Sequence, residues 1–214
     1  LLTDWENSLA AEDIRLAYLP SPGMVKLRMS IYGGAEEHVL SERIQRKEKE
    51  LHEIIGAYIY GYEKETIQSV LVEILKKNGR TVSFAESCTG GMMAQKLTDV
   101  SGASEVFKSG WVTYHEETKI SELGVDGDVI SRFGVVGEEV ASAMAEGARK
   151  KSGSDYALSS TGWAGPEGGD EKHDVGTIFV ALSTKKTTIV KKLKFGKNRS
   201  RNREMATDAA FMLL

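Results

Sequence analysis

The sequence predicts an α/β protein of two modules, a small α+β module at residues 1–64 and a larger three-layer α/β/α domain at residues 65–214. Strand-like and helix-like segments alternate along the second part, which is typical of layered α/β domains. The charge also divides there: residues 1–64 carry 8 Lys and Arg against 11 Asp and Glu, whereas residues 65–214 carry 20 of each. We place the boundary near residues 61–64.

The composition excludes several classes of protein. The 214 residues are 41% hydrophobic and 28% charged, with a net charge of −3, which is ordinary for a globular chain. No apolar run reaches the roughly 20 residues of a membrane span. Cys88 is the single cysteine, which excludes an intrachain disulfide, and the four scattered histidines argue against a cysteine-rich zinc site. We expect a cytoplasmic protein without metal or cofactor. Because it opens at Leu1, with no signal peptide, we also expect a piece of a longer chain.

The first module is predicted to contain three strands and a helix. Residues 24–32 alternate apolar and polar side chains, and residues 14–19 form a second strand-like run. The turn signal Pro20-Ser21-Pro22-Gly23 separates them. Residues 36–55 have apolar side chains at helical spacing, and residues 57–60 are predicted as a third strand.

The second module begins with a helix over residues 66–77, which Asn78-Gly79 ends. The pattern then predicts strands at residues 81–85, 110–114 and 156–159, a hairpin of residues 177–182 and 187–195, and helices at residues 92–97, 119–123, 137–151 and 201–214.

A first candidate site is the segment Ala85-Glu86-Ser87-Cys88-Thr89-Gly90-Gly91, between a strand and a helix. Backbone N–H groups at a helix start attract anions, and two glycines allow close approach of a ligand. Ser87 or Cys88 could act there as a nucleophile beside an oxyanion hole. Helix capping by Ser87 or Thr89 is the commoner explanation of such a pattern, and a lone cysteine after a strand is more often buried and inert.

A serine nucleophile requires a base, and none of the four histidines lies in a recognisable triad pattern. Lys119, five residues after Tyr114, could replace histidine if burial lowers its pKa. The alternative is a solvated lysine at a helix start and a tyrosine at the edge of the core.

Two further segments could bind a ligand. Residues 160–169 follow a strand and contain four glycines, which suits either a ligand-binding loop or a mobile surface loop. Residues 185–204 hold nine basic residues and one acidic residue, Glu204. These fit a solvated face or arginines that bind phosphate. A nucleic-acid surface is disfavoured by the pI near 5.9 and the 7% aromatic content.

In their order along the chain, these segments resemble the carboxy-terminal domain of the CinA (competence/damage-inducible protein) family. The matching parts are residues 85–91, the Tyr114-to-Lys119 segment with Leu123-Gly124-Val125, and residues 162–169 leading to Val175-Gly176-Thr177. Residues 16–28 are similar to the start of the KH-like middle module of full-length members. Because that module has the glycine pair Gly33-Gly34 but no Gly-x-x-Gly loop, we expect it not to bind RNA.

The resemblance implies a nicotinamide-nucleotide amidase, which hydrolyses nicotinamide mononucleotide (NMN) to nicotinate mononucleotide and ammonia without a metal. It implies Ser87 as the nucleophile, Lys119 as its base and Tyr114 in support. We expect the substrate to contact eight residues: Thr89, Gly90, Gly91, Thr161, Gly162, Gly165, Arg199 and Arg203. A non-catalytic nucleotide- or nucleic-acid-binding module and hydrolysis of a different amide are the alternatives.

Some positions depart from the family pattern. His173-Asp174 stands where the family usually has Lys-Pro, Trp163 replaces a small or β-branched aliphatic residue, and the turn at residues 196–199 is one residue longer. The resemblance further implies a homo-oligomer, and a natural fusion to an amino-terminal molybdopterin-binding-like domain.

Overall fold

The computed structural model describes residues 1–214, and the chain divides into two compact units, Leu1–Tyr62 and Glu63–Leu214. The first unit contains α1 (Thr3–Ala10), the antiparallel hairpin of β1 (Ile14–Ser21) and β2 (Met24–Ile31), and α2 (Glu37–Ile55). The predicted pair of strands and the long helix are therefore confirmed. Trp5 and Leu9 of α1, a helix that the pattern did not predict, pack with Ile14 and Leu51 in the core of this unit.

The third strand predicted at residues 57–60 is wrong, because Gly56–Tyr58 forms a 3-10 turn. Gly56 keeps helical backbone angles at the end of α2, so the chain tightens instead of extending. The sheet of this unit therefore has two strands. The KH-like assignment of residues 1–64 stays a prediction.

The second unit contains the alternating elements that the sequence predicts, and the α/β class is confirmed. They are α3 (Ile67–Lys77), β3 (Val82–Glu86), α4 (Met92–Thr98), β4 (Phe107–Val112), α5 (Glu116–Leu123), α6 (Gly127–Phe133), α7 (Glu138–Ser152), β5 (Tyr156–Gly162), β6 (Thr177–Ser183), β7 (Thr188–Lys194) and α8 (Arg199–Phe211). Only α6 was not predicted. No helix of the chain combines the length and the apolar character that crossing a membrane requires.

The five strands form one mixed sheet in the order β4-β3-β5-β6-β7. Helices cover both faces of the sheet. Because successive side chains of a strand point to opposite faces, β3 contributes side chains to both helical layers. Phe84 contacts Phe211 of α8, with ring centroids 5.9 Å apart. Its neighbour Ala85 belongs to the cluster that includes Met144 of α7 and Leu123 of α5. The unit therefore has three layers.

Strand β3 runs parallel to both of its neighbours, β4 and β5. Because the carboxyl ends of parallel strands meet at the same edge of a sheet, the segments that follow these three strands come together. Those segments are the three that the sequence identified as candidate sites, starting at Ser87, Thr113 and Trp163.

Helix α5, which follows β4, packs very closely against α7. A Cβ atom added to Gly147 of α7 would lie 2.0 Å from the carbonyl oxygen of Leu123, the last residue of α5. Only glycine permits this approach. The close contact sets the position of α5, and with it the positions of the α5 side chains.

Candidate active site

Ser87 is the first residue after β3 and is 9% exposed. Its N–H donates to the carbonyl of Ser160 on β5 at 2.9 Å, and its own carbonyl accepts from the N–H of Gly90 at 3.1 Å. The backbone that carries the Ser87 hydroxyl is thus held on both sides.

Lys119 lies on α5 and is 2% exposed. Its Nζ atom is 3.2 Å from Oγ of Ser87, 2.8 Å from the carbonyl oxygen of Thr113 and 3.5 Å from that of Tyr114. The structure therefore brings the predicted nucleophile and the predicted base within hydrogen-bonding distance. Two carbonyls next to Nζ can accept its hydrogens, which leaves the lone pair of a neutral amine free to accept the Ser87 proton.

Burial lowers the pKa of Lys119 below its ordinary value. Electrostatic interactions with Cys88 and with the carboxylate of Glu116 raise the pKa of Lys119 without cancelling this shift. A lysine with a lowered pKa is neutral in a larger fraction of molecules, and the neutral amine is the form that accepts a proton.

Cys88, the rival nucleophile, is 4% exposed. Burial is the main cause that raises the pKa of its thiol to about 12. Because the thiolate is the reactive form, a thiol held protonated is a poor nucleophile. Burial of the thiol therefore favours Ser87 over Cys88 as the candidate nucleophile.

Glu86 has a role that the sequence analysis did not identify. This carboxylate is 1% exposed and accepts hydrogen bonds from the Thr89 hydroxyl and from the N–H groups of Gly91, Met93 and Ala94, over distances of 2.7–3.1 Å. The start of α4 therefore binds a carboxylate of its own chain, as a helix N-terminus favours. An acidic residue at the end of a strand, six positions before the start of α4, was the available signal.

The backbone donors that we expected from Gly91 and the start of α4 are thus used inside the protein. The N–H groups of Cys88 and Thr89, in contrast, donate to no backbone carbonyl. Cys88 directly follows the proposed nucleophile, which is the usual position of an oxyanion-hole donor after a strand.

Arg203 of α8 supports the same loop. Its Nε and Nη2 atoms donate to the carbonyl of Thr89 at 3.2 and 2.7 Å. A Cβ atom added to Gly90 would lie 3.2 Å from Nη2 of Arg203. The Thr89 hydroxyl is fully buried and lies 2.7 Å from the hydroxyl of Ser160. Arg203, Thr89 and Gly90 therefore fix the Ser87 loop from behind.

A cavity of about 400 Å³ opens in front of Ser87 and Lys119. Six of the predicted site residues line it: Ser87, Tyr114, Lys119, Thr161, Gly162 and Arg199. The other five, Thr89, Gly90, Gly91, Gly165 and Arg203, do not. The lining also includes the rival nucleophile Cys88 and seven residues that were not among the predicted site residues, which are His115, Glu116, Val135, Val136, Trp163, Ala164 and Glu167.

At the mouth of the cavity, Arg199 connects two of the three loops. Arg199 at the start of α8 donates from Nη1 to the carbonyl of Gly165 at 3.0 Å and from Nη2 to the Tyr114 hydroxyl at 2.8 Å. Gly165 is buried behind this contact, whereas Tyr114 is 60% exposed. No group of three or more His, Cys, Asp or Glu side chains is arranged to hold a metal ion.

The second unit is therefore an α/β domain with a Ser–Lys pair. The two residues are buried at the carboxyl edge of a mixed sheet, beside the cavity. The chain belongs to the CinA family: the model of the CinA C-terminal domain matches residues 64–214.

Similar proteins extend this assignment. A CinA-like protein of Flavobacterium psychrophilum is 41% identical over 98% of this chain and 50% of its own length. One from Cytophaga hutchinsonii is 38% identical over 100% of this chain and 51% of its own length. The chain thus spans about half the length of these curated relatives.

Solved structures share the fold. The competence/damage inducible protein CihA of Agrobacterium tumefaciens is 31% identical, with a TM-score of 0.65 over 72% of this chain and 96% of that one. A CinA superfamily protein of Escherichia coli is 28% identical, with a TM-score of 0.67 over 72% and 91%.

Proposed function

We propose that the chain hydrolyses the carboxamide of NMN to nicotinate mononucleotide and ammonia, without a metal, with Ser87 as nucleophile and Lys119 as base. The observation that carries the proposal is the 3.2 Å distance between Nζ of Lys119 and Oγ of Ser87 in a site where Lys119 is 2% exposed. An amide carbon is a poor electrophile, so its hydrolysis requires a poised nucleophile of this kind.

In the first step, neutral Lys119 takes the Ser87 proton while Oγ bonds to the amide carbon. We assign stabilisation of the oxyanion to the N–H of Cys88, because this group has no backbone acceptor. The C–N bond then breaks, and Lys119 returns its proton to the nitrogen, which leaves as ammonia. Water, deprotonated by Lys119, next attacks the Ser87 ester, and the returning proton restores the serine hydroxyl.

We assign the phosphate of the nucleotide to the mouth of the cavity. Arg199 is exposed there and uses only part of its guanidinium on Gly165 and Tyr114. Its remaining donors and its charge suit a phosphate group. Thr161 donates to the carbonyl of Val135 at 2.8 Å and so shapes the wall instead of offering a free hydroxyl.

The direct test measures ammonia release from NMN, with and without EDTA. We expect activity that EDTA leaves intact, that Ser87→Ala and Lys119→Met abolish, and that Cys88→Ala retains. The Cys88 variant is the matched control because it changes the neighbouring side chain and keeps its backbone N–H. Loss of activity with EDTA, or activity in Ser87→Ala equal to that of the wild type, contradicts the proposal.

A non-catalytic nucleic-acid-binding role is the second candidate. It depends on the basic segment 185–204, where Lys191 and Lys192 are exposed on β7 at the edge of the sheet. Arg203, however, contacts the Ser87 loop, and Lys194 pairs with Asp174 at 2.6 Å. Salt-dependent binding of RNA or DNA without ammonia release would favour this second role.

The proposal also includes a cytoplasmic homo-oligomer, and a natural fusion to an amino-terminal molybdopterin-binding-like domain. Light scattering of the purified chain tests the assembly, for which a mass near 23.4 kDa would indicate a monomer instead. A titration of residues 1–64 with RNA at low salt tests our expectation that this unit does not bind it.

A further inference from the structure

Trp163 lines the same cavity as Ser87 and Lys119. It is the first residue after β5, and its backbone is held by β6 and the loop before it. Its N–H donates to the carbonyl of Thr177 at 2.9 Å, and its carbonyl accepts from the N–H of Gly176 at 2.7 Å. The position of this side chain is thus set by the sheet.

The ring itself is also fixed. Its Nε1 atom donates to Asp170 at 3.3 Å, and the ring packs against the cluster that contains Val136 and Phe179. A Cβ atom added to Gly168 would lie 2.9 Å from Cε3 of Trp163, so the loop closes on the indole through a residue without a side chain. A half-buried ring restrained in this way loses little freedom when a ligand contacts it.

Acidic and basic side chains line the same cavity as the Trp163 ring. Glu116 and Glu167 line the same cavity and are exposed, and Arg199 lies at its mouth. Carboxylates that line the same cavity as an indole suit a cation, since the face of an indole attracts positive charge. The guanidinium suits an anion at the other end of the ligand.

We propose that Trp163 is the platform on which a flat, positively charged heteroaromatic ring stacks, so that this residue selects amides carried on such a ring. This inference rests on the proposed function and deepens it, because the nicotinamide ring of NMN is cationic. Stacking on the fixed indole also holds the ring plane, and with it the attached amide, in a defined orientation toward Ser87.

The test measures binding by calorimetry in the Ser87→Ala background, which prevents turnover. The ligands are NMN, its neutral dihydro form, and the nicotinamide cation methylated on its ring nitrogen, which lacks ribose and phosphate. We expect Trp163→Val to weaken binding of both cations about tenfold, and Trp163→Phe about threefold or less. The dihydro form should bind about tenfold more weakly than NMN.

Trp111→Phe is the matched control, because Trp111 packs against the α7 cluster and does not line the cavity. We expect it to bind NMN as the unchanged background does. Thermal unfolding of each variant checks that the unit stays folded, and Trp163→Phe tests the role of the ring if Trp163→Val unfolds. In that case, loss of binding by folded Trp163→Phe contradicts selection by an aromatic face.

Each outcome is decisive. If folded Trp163→Val binds both cations as tightly as the background, or if the dihydro form binds equally well, the inference is wrong. If the methylated ring binds in a Trp163-dependent way but the wild type releases no ammonia from NMN, the inference stands and the proposed function fails. If neither cation binds, both fail.

Discussion

The Tyr114 hydroxyl accepts a 2.8 Å hydrogen bond from Nη2 of Arg199, which ties the start of α8 to the segment after β4. The same guanidinium holds the Gly165 carbonyl through Nη1. One arginine therefore fixes two of the three loops around the cavity while its charge stays at the mouth.

Replacing that charge should weaken binding of a phosphate-bearing substrate. We expect Arg199→Gln to raise KM for NMN by about 10- to 100-fold, since hydrogen bonds to charged groups contribute about 1.5–3 kcal/mol each. The effect on nicotinamide riboside, which lacks the phosphate, should be clearly smaller. Arg201→Gln is the control, because Arg201 is exposed on the same helix and does not line the cavity. Equal effects on both substrates would place the phosphate elsewhere.

The pH dependence of activity should follow Lys119. Burial lowers its pKa, and the neutral amine is active, so kcat/KM should rise with pH through this lowered pKa. Glu116 acts in the opposite direction and raises the pKa of Lys119. We therefore expect Glu116→Gln to move the ascending limb of the pH profile to lower pH.

Glu117→Gln provides the control for that shift. Glu117 is the neighbouring residue on α5, its side chain is 89% exposed, and it does not line the cavity. Its profile should coincide with that of the wild type. A limb that moves to higher pH in Glu116→Gln would contradict Lys119 as the titrating base.

Glu86 should matter for stability as well as for activity. Glu86→Gln replaces one acceptor oxygen by an NH2 group among four donors, so at least one buried N–H or hydroxyl loses its partner. We expect the free energy of unfolding to fall by about 2–4 kcal/mol in urea titrations. Glu73→Gln, at an exposed position of α3, should change it by less than about 0.5 kcal/mol. A stable Glu86→Gln variant would show that the carboxylate is replaceable.

Gly147→Ala should reverse the ordinary effect of such a substitution. Alanine in the middle of a helix is normally more stable than glycine by about 1 kcal/mol. Here the new methyl would lie 2.0 Å from the Leu123 carbonyl, so α5 must shift and take Lys119 with it. We expect a lower melting temperature and a reduced kcat. Gly127→Ala, where the nearest atom would be 3.7 Å away, should do neither.

The sequence predicts most of the second unit because each element carries its own signal. Thr66 caps α3 and Gly124 ends α5, both of which are local features. Helix α6 escaped prediction because it has only seven residues and one fully buried side chain, Ile130. Residues 57–60 have the composition of a strand, but no neighbouring strand pairs with them, and pairing is not encoded locally.

The site could be predicted only in part for the same reason. The spacing of Ser87 and Lys119 says nothing about their distance, which the parallel pairing of β3 with β4 decides. Without the family resemblance, Lys119 reads as an ordinary solvated lysine. The contact of Arg203 with Thr89 joins residues 114 positions apart. Tertiary contacts over such a separation explain why Arg203 was expected on the substrate and lies behind the loop.

The buried thiol of Cys88 has a consequence for how the protein responds to its chemical surroundings. Burial raises the pKa of this thiol to about 12, so the thiol is protonated at neutral pH. Alkylating reagents and peroxide both require the thiolate and access to it. We therefore expect the sulfur atom adjacent to the proposed nucleophile to react slowly with such reagents, so that the proposed activity of Ser87 should change little with the redox conditions around the protein.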